Sequence, residues 1–202
     1  MPKQVNHEER KLIIAEATWK VIFDKGIEGA TVRSIADEAN LSIGALRHYF
    51  TSQEELLIFA WELVKEKVTN RILAMYETDM SLDELLVRFC LELIPLHTQS
   101  RIEMTVWFHF ISNVQYRHHF QQDDGILFGL SNVMEMLDTN GRLKPTIEID
   151  DETETLYALV DGLAIHCMFT PDRLTKERII QIIVKHVNRI LLFPVKPETF
   201  IS

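Results

Sequence analysis

The chain has 202 residues, 47% of them hydrophobic and 25% charged, a globular composition with enough apolar content for a well-buried core. Its net charge of −9 speaks against a protein that coats nucleic acid along its whole surface. With no apolar run of about 18 residues and a polar N-terminus of mixed charge, neither a membrane span nor a secretory signal is expected.

Residues 1–7 read as a flexible arm, with Lys3 part of a frayed terminus. A helix is predicted from His7 to Lys25, where Leu12, Ile13, Ala15, Ala17, Trp19, Val21, Ile22 and Phe23 cover a broad face. Trp19 and Phe23, four apart, are expected in the core of a small domain, and Gly26 is a natural stop. Thr31 then caps a second helix running to about Ala39, with Val32, Ile35, Ala36 and Ala39 on one side. Asn40 tolerates the left-handed conformation that ends many helices, and Leu41 plugs the corner. Ser42 caps a third, short helix on which Ala45, Leu46 and Tyr49 pack inward while Ile43, Gly44, Arg47 and His48 face out. Such a helix is too short to fold alone. Held out from a scaffold with Ser, Gly, Arg, His and Tyr along it, it suits a DNA major groove. Arg47 is the candidate for a bidentate pair with guanine, and Arg33 sits on the helix surface near the backbone. Charge distribution permits this, because residues 1–50 hold seven basic and seven acidic groups and the rest of the chain carries the whole −9.

The run Ala30-Thr31-Val32-Arg33-Ser34-Ile35-Ala36-Asp37-Glu38-Ala39, then Leu41-Ser42, His48-Tyr49-Phe50 and Ser52-Gln53-Glu54-Glu55-Leu56, resembles the DNA-binding signature of the TetR family of bacterial repressors over about residues 10–60. The resemblance implies a dimeric regulator on a palindromic operator, released by a small-molecule inducer. It also implies phosphate contacts from Thr31 and Tyr49, with Ser42 and Gln53 near the same face. The chain departs from the family pattern at Asn40, where Gly is usual, at Ile43 and Gln53, where Lys is common, and at Arg47, where Tyr is common. Two missing lysines imply binding that leans less on counterion release.

Ser52 to Glu55 forms a capping box, in which Ser52 bonds forward and Glu55 back to the Ser52 N–H. The helix it starts runs to about Tyr76, too long for a small domain, and so should link two domains rigidly. Ser81 to Glu84 is a second capping box, opening a helix to about His97 with Pro95 in its last turn. Arg101–Val114 is apolar around its circumference and should be central. A helix between about Arg117 and Asn140 ends at Gly141, and Arg142–Asp150 is a surface loop. The last helices are Asp151–Phe169 and Thr175–Leu192. Leu156, Leu159 and Leu163 on the first, and Ile179, Ile183, Val187 and Ile190 on the second, form stripes beyond the needs of one subunit's core. A homodimeric four-helix seam is expected to bury both. The Asp161-Gly162-Leu163-Ala164 segment is similar to the betaine-synthesis repressor branch of the same family.

A small-molecule pocket is expected among Met104, Trp107, Phe108, Phe110, Tyr116, Tyr157, Asp161 and His166, an apolar set with a few polar groups. Asp161 is compatible with a cationic ligand, with His166 or with its dimer mate. Cys90 and Cys167 read as reduced core thiols, consistent with the cytoplasm. No phosphate loop, nucleophile elbow or metalloprotease motif occurs, and the His118-His119 pair is exposed, so no metal, cofactor or enzyme activity is expected. The rival readings are a helical ligand-binding enzyme and a protein-interaction module. The expected architecture is all-α with about nine helices. Residues 1–52 form a three-helix helix-turn-helix domain, and residues 53–202 a larger ligand-binding and dimerisation domain.

Overall fold

The computed structural model describes residues 7–112 and 125–201. Within them lie nine α-helices: α1 (His7–Gly29), α2 (Val32–Glu38), α3 (Ile43–Tyr49), α4 (Gln53–Tyr76), α5 (Leu82–Glu92), α6 (Thr98–Ser112), α7 (Gly125–Thr139), α8 (Ile149–Phe169) and α9 (Lys176–Ile190). Among the described residues two compact units form. The first comprises α1, α2, α3, α4 as far as Val68, and α6 from Arg101; the second comprises α4 from Thr69, α5, the first residues of α6, α7, α8 and α9. The division thus falls inside α4 rather than at residues 52 and 53. Burial explains the shift. Leu56, Leu57, Ala60, Trp61, Leu63 and Val64 are buried, and the Trp19 indole N–H donates to the Ala60 carbonyl at 2.7 Å. The first turns of α4 are therefore needed to close the core around α1.

In the first unit, Ile14, Trp19 and Ile22 of α1 share that core with Ile35 and Ala36 of α2, Leu46 of α3 and Val106 and Phe110 of α6. Thr18 is fully buried there and donates its hydroxyl to the Ile14 carbonyl at 2.8 Å, as a buried polar group must. Phe23, expected in the core, is 42% exposed. It stands about 40° around the helix beyond Trp19, at 100° per residue, past the edge of the buried arc. Gly26 takes φ 71°, which only glycine adopts freely, and breaks the helix where a stop was expected.

The cap of α4 differs in one atom pair. Glu55 N–H donates to Ser52 Oγ at 3.0 Å, as expected. The Glu55 carboxylate, however, accepts from the N–H and hydroxyl of Thr51, both at 2.7 Å, one residue earlier than the box requires. Helix α5 stops at Glu92, short of His97. Pro95 brings no N–H and disfavours helical geometry at the residue before it, so the helix ends ahead of both. Val114, Tyr116, His118, His119 and the first turns of the helix expected from Arg117 lie outside the described residues. At the far end of α7, Gly141 has φ 62° and Arg142 N–H donates to the Leu137 carbonyl at 2.8 Å, the expected left-handed stop.

In the second unit the two stripes are spent within one chain. Leu156, Leu163, Ile179, Ile183, Val187 and Ile190 are buried, together with Leu86 and Phe89 of α5 and Leu130, Val133, Met134 and Leu137 of α7; only Leu159 is half-exposed. The dimer seam expected on these stripes thus finds most of their side chains already buried within one chain. A side chain with no exposed surface in one chain has none to offer a second. Arg142 caps the arrangement, pairing with the buried Asp83 carboxylate through Nε (3.2 Å) and a terminal nitrogen while its guanidinium lies 4.6 Å from the Phe193 ring centre. Cys90 is wholly buried, and desolvation pushes its thiol up to about 12, which leaves it inert.

Candidate nucleic-acid interface and cavity

The reading surface is built by caps. Thr31 Oγ1 accepts from Ser34 N–H at 3.2 Å, and Ser34 Oγ accepts from Thr31 N–H at 3.0 Å, so each end of the box satisfies the other. Ser34 also donates to the Gly29 carbonyl at 2.6 Å, tying the start of α2 back to α1. At the corner Asn40 takes φ 54° and Leu41 N–H donates to the Ala36 carbonyl at 2.8 Å. Asparagine, where relatives usually have glycine, fulfils the same left-handed requirement. Ser42 Oγ then accepts from Ala45 N–H at 3.1 Å and starts α3.

Helix α3 is held from beneath by Leu46 and Phe50, both essentially buried. Ser42, Ile43, Gly44, Arg47 and His48 are exposed and Tyr49 is half-buried, so the outward set is the one expected. A Cβ on Gly44 would meet only Ser42 Oγ at 3.9 Å; its glycine keeps the helix surface low where a duplex would approach. Arg33 is exposed on α2. Among the described residues neither Arg33 nor Arg47 has an ion-pair partner, whereas Lys20 is held by Glu38 at 2.9 Å and Asp24 at 3.5 Å. The hydrogen bond and charge of Glu38 push the Lys20 ammonium above its ordinary range. Gln53 breaks from the expected set. Its amide donates to the Ala30 carbonyl at 2.8 Å, bolting the start of α4 to the α1–α2 connection instead of reaching outward.

The expected pocket residues that the structure describes divide between the two units. Phe110 is buried and stacks on Trp61 at 5.6 Å, as core of the first unit, with Met104, Trp107 and Phe108 half-buried on the same helix. Tyr157, Asp161 and His166 belong to the second unit on α8, all half-buried, and Arg173 lies 2.8 Å from the His166 ring. Inside the second unit a cavity of about 650 Å3 opens elsewhere, lined chiefly by Ile72, Leu73 and Tyr76 of α4, Phe89 of α5, and Phe128 and Met136 of α7. Asn132, Glu135 and Asn140 add polar groups, and burial pushes the Tyr76 phenol above its usual range. None of the seven expected residues that the structure describes lines it. Aromatic content marked burial, whereas the cavity is bordered in part by Gly125 and Gly129; a Cβ on Gly129 would come within 3.1 Å of the Phe89 ring. No sequence signal of spacing pointed to it.

A seven-residue helix capped by Ser42, anchored by two buried residues and exposing arginine and histidine defines a helix-turn-helix DNA-binding protein. Residues 14–58 match the family described as "Bacterial regulatory proteins, tetR family", and residues 82–192 match "BetI-type transcriptional repressor, C-terminal". The chain belongs to the TetR family of transcriptional regulators. It is 47% identical to the transcriptional regulator PksA of Bacillus subtilis over 94% of each chain. A regulator named BetI from Burkholderia thailandensis is 39% identical over 57 residues, 28% of this chain and 29% of that one. Among solved structures, a transcriptional regulator from Rhodococcus is 25% identical with a TM-score of 0.73, covering 89% of this chain and 95% of that one. A regulator from Saccharomonospora viridis, solved in complex with choline, shares the fold at 21% identity with a TM-score of 0.83, covering 92% of this chain and all of the other. No helix among the described residues is long and apolar enough to cross a membrane, and none of their side chains cluster as a metal site.

Proposed function

We propose that this regulator is a cytoplasmic repressor that binds a palindromic operator as a homodimer and leaves it when a small molecule fills the second unit. The observation that carries the reading is the exposed face of α3, held rigidly by Leu46 and Phe50. Arg47 reads a base there, worth about 1–3 kcal/mol of discrimination, while Thr31, Ser42 and Tyr49 position the helix on phosphates and Arg33 adds charge nearby. The two-fold operator follows from one reading helix per subunit, with half-site centres about 34–36 Å apart or a multiple of that turn.

The dimer surface lies on the outer side of α8, where Ile165 is 47% and Phe169 61% exposed, rather than on the buried stripes. The effector site is the cavity beside Tyr76, Phe89 and Phe128, apolar with a few polar groups as small-molecule sites are. The choline bound by the Saccharomonospora regulator makes choline the first compound to test.

The experiment is operator selection. A palindromic duplex chosen by the wild-type chain from a random-sequence pool serves as the probe, with single-base variants beside it. Arg47→Ala is expected to lose the ranking among variants more than overall affinity, and Tyr49→Phe to weaken all of them alike. An unchanged ranking with Arg47→Ala refutes its contact to a base.

A further inference from the structure

We propose that His7 belongs to the DNA-binding surface, as a positioning residue for Tyr49 that takes up a proton when the duplex is bound. The proposal rests on α3 being the reading helix. His7 opens α1, far from α3 in sequence, yet its ring centre lies 4.8 Å from that of Tyr49 and 6.3 Å from that of His48. His48 and Tyr49 are themselves 5.4 Å apart at 80°, so three rings form one cluster at the end of the reading helix. Whatever brings His48 and Tyr49 to a phosphate brings His7 with them.

Two consequences follow from ring chemistry. Tyr49 is only half-buried, and the His7 ring tilted against it at 43° limits where the phenol can point. An imidazole changes charge between about pH 5 and 8, and a phosphodiester within reach favours the charged form. The side chain of His7 is 51% exposed, which leaves it open to such a neighbour. Among the described residues, charged and titratable groups approach it from three helices. On α1, the Glu8 carboxylate lies 3.5 Å from His7 Nδ1, and Lys11 Nζ lies 4.0 Å from that same carboxylate. On α3 are His48 itself and the adjoining Arg47. From α4, Phe59 stands under Lys11 at 5.7 Å and Glu55 faces the same ammonium. Lys11 and Glu8 offset one another, and the incoming phosphate adds the unbalanced charge. Duplex affinity therefore rises as pH falls.

The test uses the full chain, the palindromic duplex selected from a random pool, fixed salt, and pH from about 6 to 8, where imidazole titrates. Wild-type affinity is expected to rise on acidification, by at most about tenfold per pH unit for each proton taken up. His7→Phe keeps a ring against Tyr49 and is expected to flatten that profile. His7→Ala is expected to flatten it and also to bind about three- to tenfold more weakly at pH 8, the worth of one aromatic pair. If His7→Phe lowers the melting temperature, His7→Gln reads the proton linkage in its place. A profile that flattens only in His48→Gln overturns the proton assignment. Equal affinity of the Ala and Phe variants at pH 8 overturns the positioning. If Tyr49→Phe and Arg47→Ala bind as wild type, the reading of α3 fails, and this inference with it. If those two weaken while the His7 variants match wild type, the inference alone fails.

Discussion

Replacing Ile43 by lysine tests how α3 is seated against a duplex. Ile43 is the first residue of α3 and is 41% exposed, so a lysine there meets no buried surface and extends from the outward face. Each phosphate neutralised contributes about −0.9 to the slope of log affinity against log salt, so two reading helices add about −1.8. The same change at Gln53, where lysine is also common in the family, is not equivalent. The Gln53 amide donates to the Ala30 carbonyl at 2.8 Å. A lysine there either keeps that bond and touches no phosphate, or swings out and strands the carbonyl at a cost of about 1 kcal/mol. The double variant is therefore expected to show nearly the slope of Ile43→Lys alone, with lower stability. Fluorescence anisotropy on the selected palindrome between about 50 and 200 mM salt measures the slope, and urea unfolding the stability. A further steepening of about 1.8 in the double variant would mean that position 53 faces the backbone after all. An unchanged slope for Ile43→Lys would require α3 to be rotated from the seating described.

Leu46→Ala removes a side chain buried to 1% exposure, and is expected to cost about 2–5 kcal/mol in urea unfolding and to abolish operator binding. Arg142→Met strands the Asp83 carboxylate, whose side chain is 4% exposed, and is expected to cost about 3–5 kcal/mol at pH 7. Asp83→Asn leaves a guanidinium whose side chain is 32% exposed and reachable by water, and is expected to cost less; equal losses would contradict the asymmetry. The Thr51 hydroxyl, followed by its N–H, holds the exposed Glu55 carboxyl below its usual range. Its contribution is thus present above the ordinary carboxylate value and disappears as pH falls through the lowered one. Thr51→Val is expected to shrink the fall in melting temperature at acid pH, and an unchanged fall would assign that acid sensitivity elsewhere. Phe169→Glu is expected to yield monomers in sedimentation without unfolding, whereas Ile183→Glu should unfold the chain; the reverse would restore the buried stripe as the dimer seam.

What the sequence determined by itself was local. The Thr31, Ser42 and Ser81 caps each bond to the N–H three residues on, and after the left-handed Asn40 and Gly141 the next N–H donates to the carbonyl five residues before it. Those interactions close within a turn or two, so residue type at a given spacing is enough to infer them, and with them the reading helix and its outward face. The family pattern is legible for the same reason, because its signature is mostly this set of caps and anchors. The tertiary structure alone decided the contacts that join distant segments: Gln53 to Ala30, Arg142 to Asp83, and His7 to Tyr49. It also decided the fate of apolar surface. Periodicity states that Ile183 and Leu163 must be buried, but it carries no information on whether the partner is α5 and α7 of the same chain or a second subunit. A cavity is harder still to foresee, because it is a place where side chains fail to meet. The space beside Gly129 depends on how far α4 and α7 stand apart, a distance set by the whole packing of the unit and not by any residue along it.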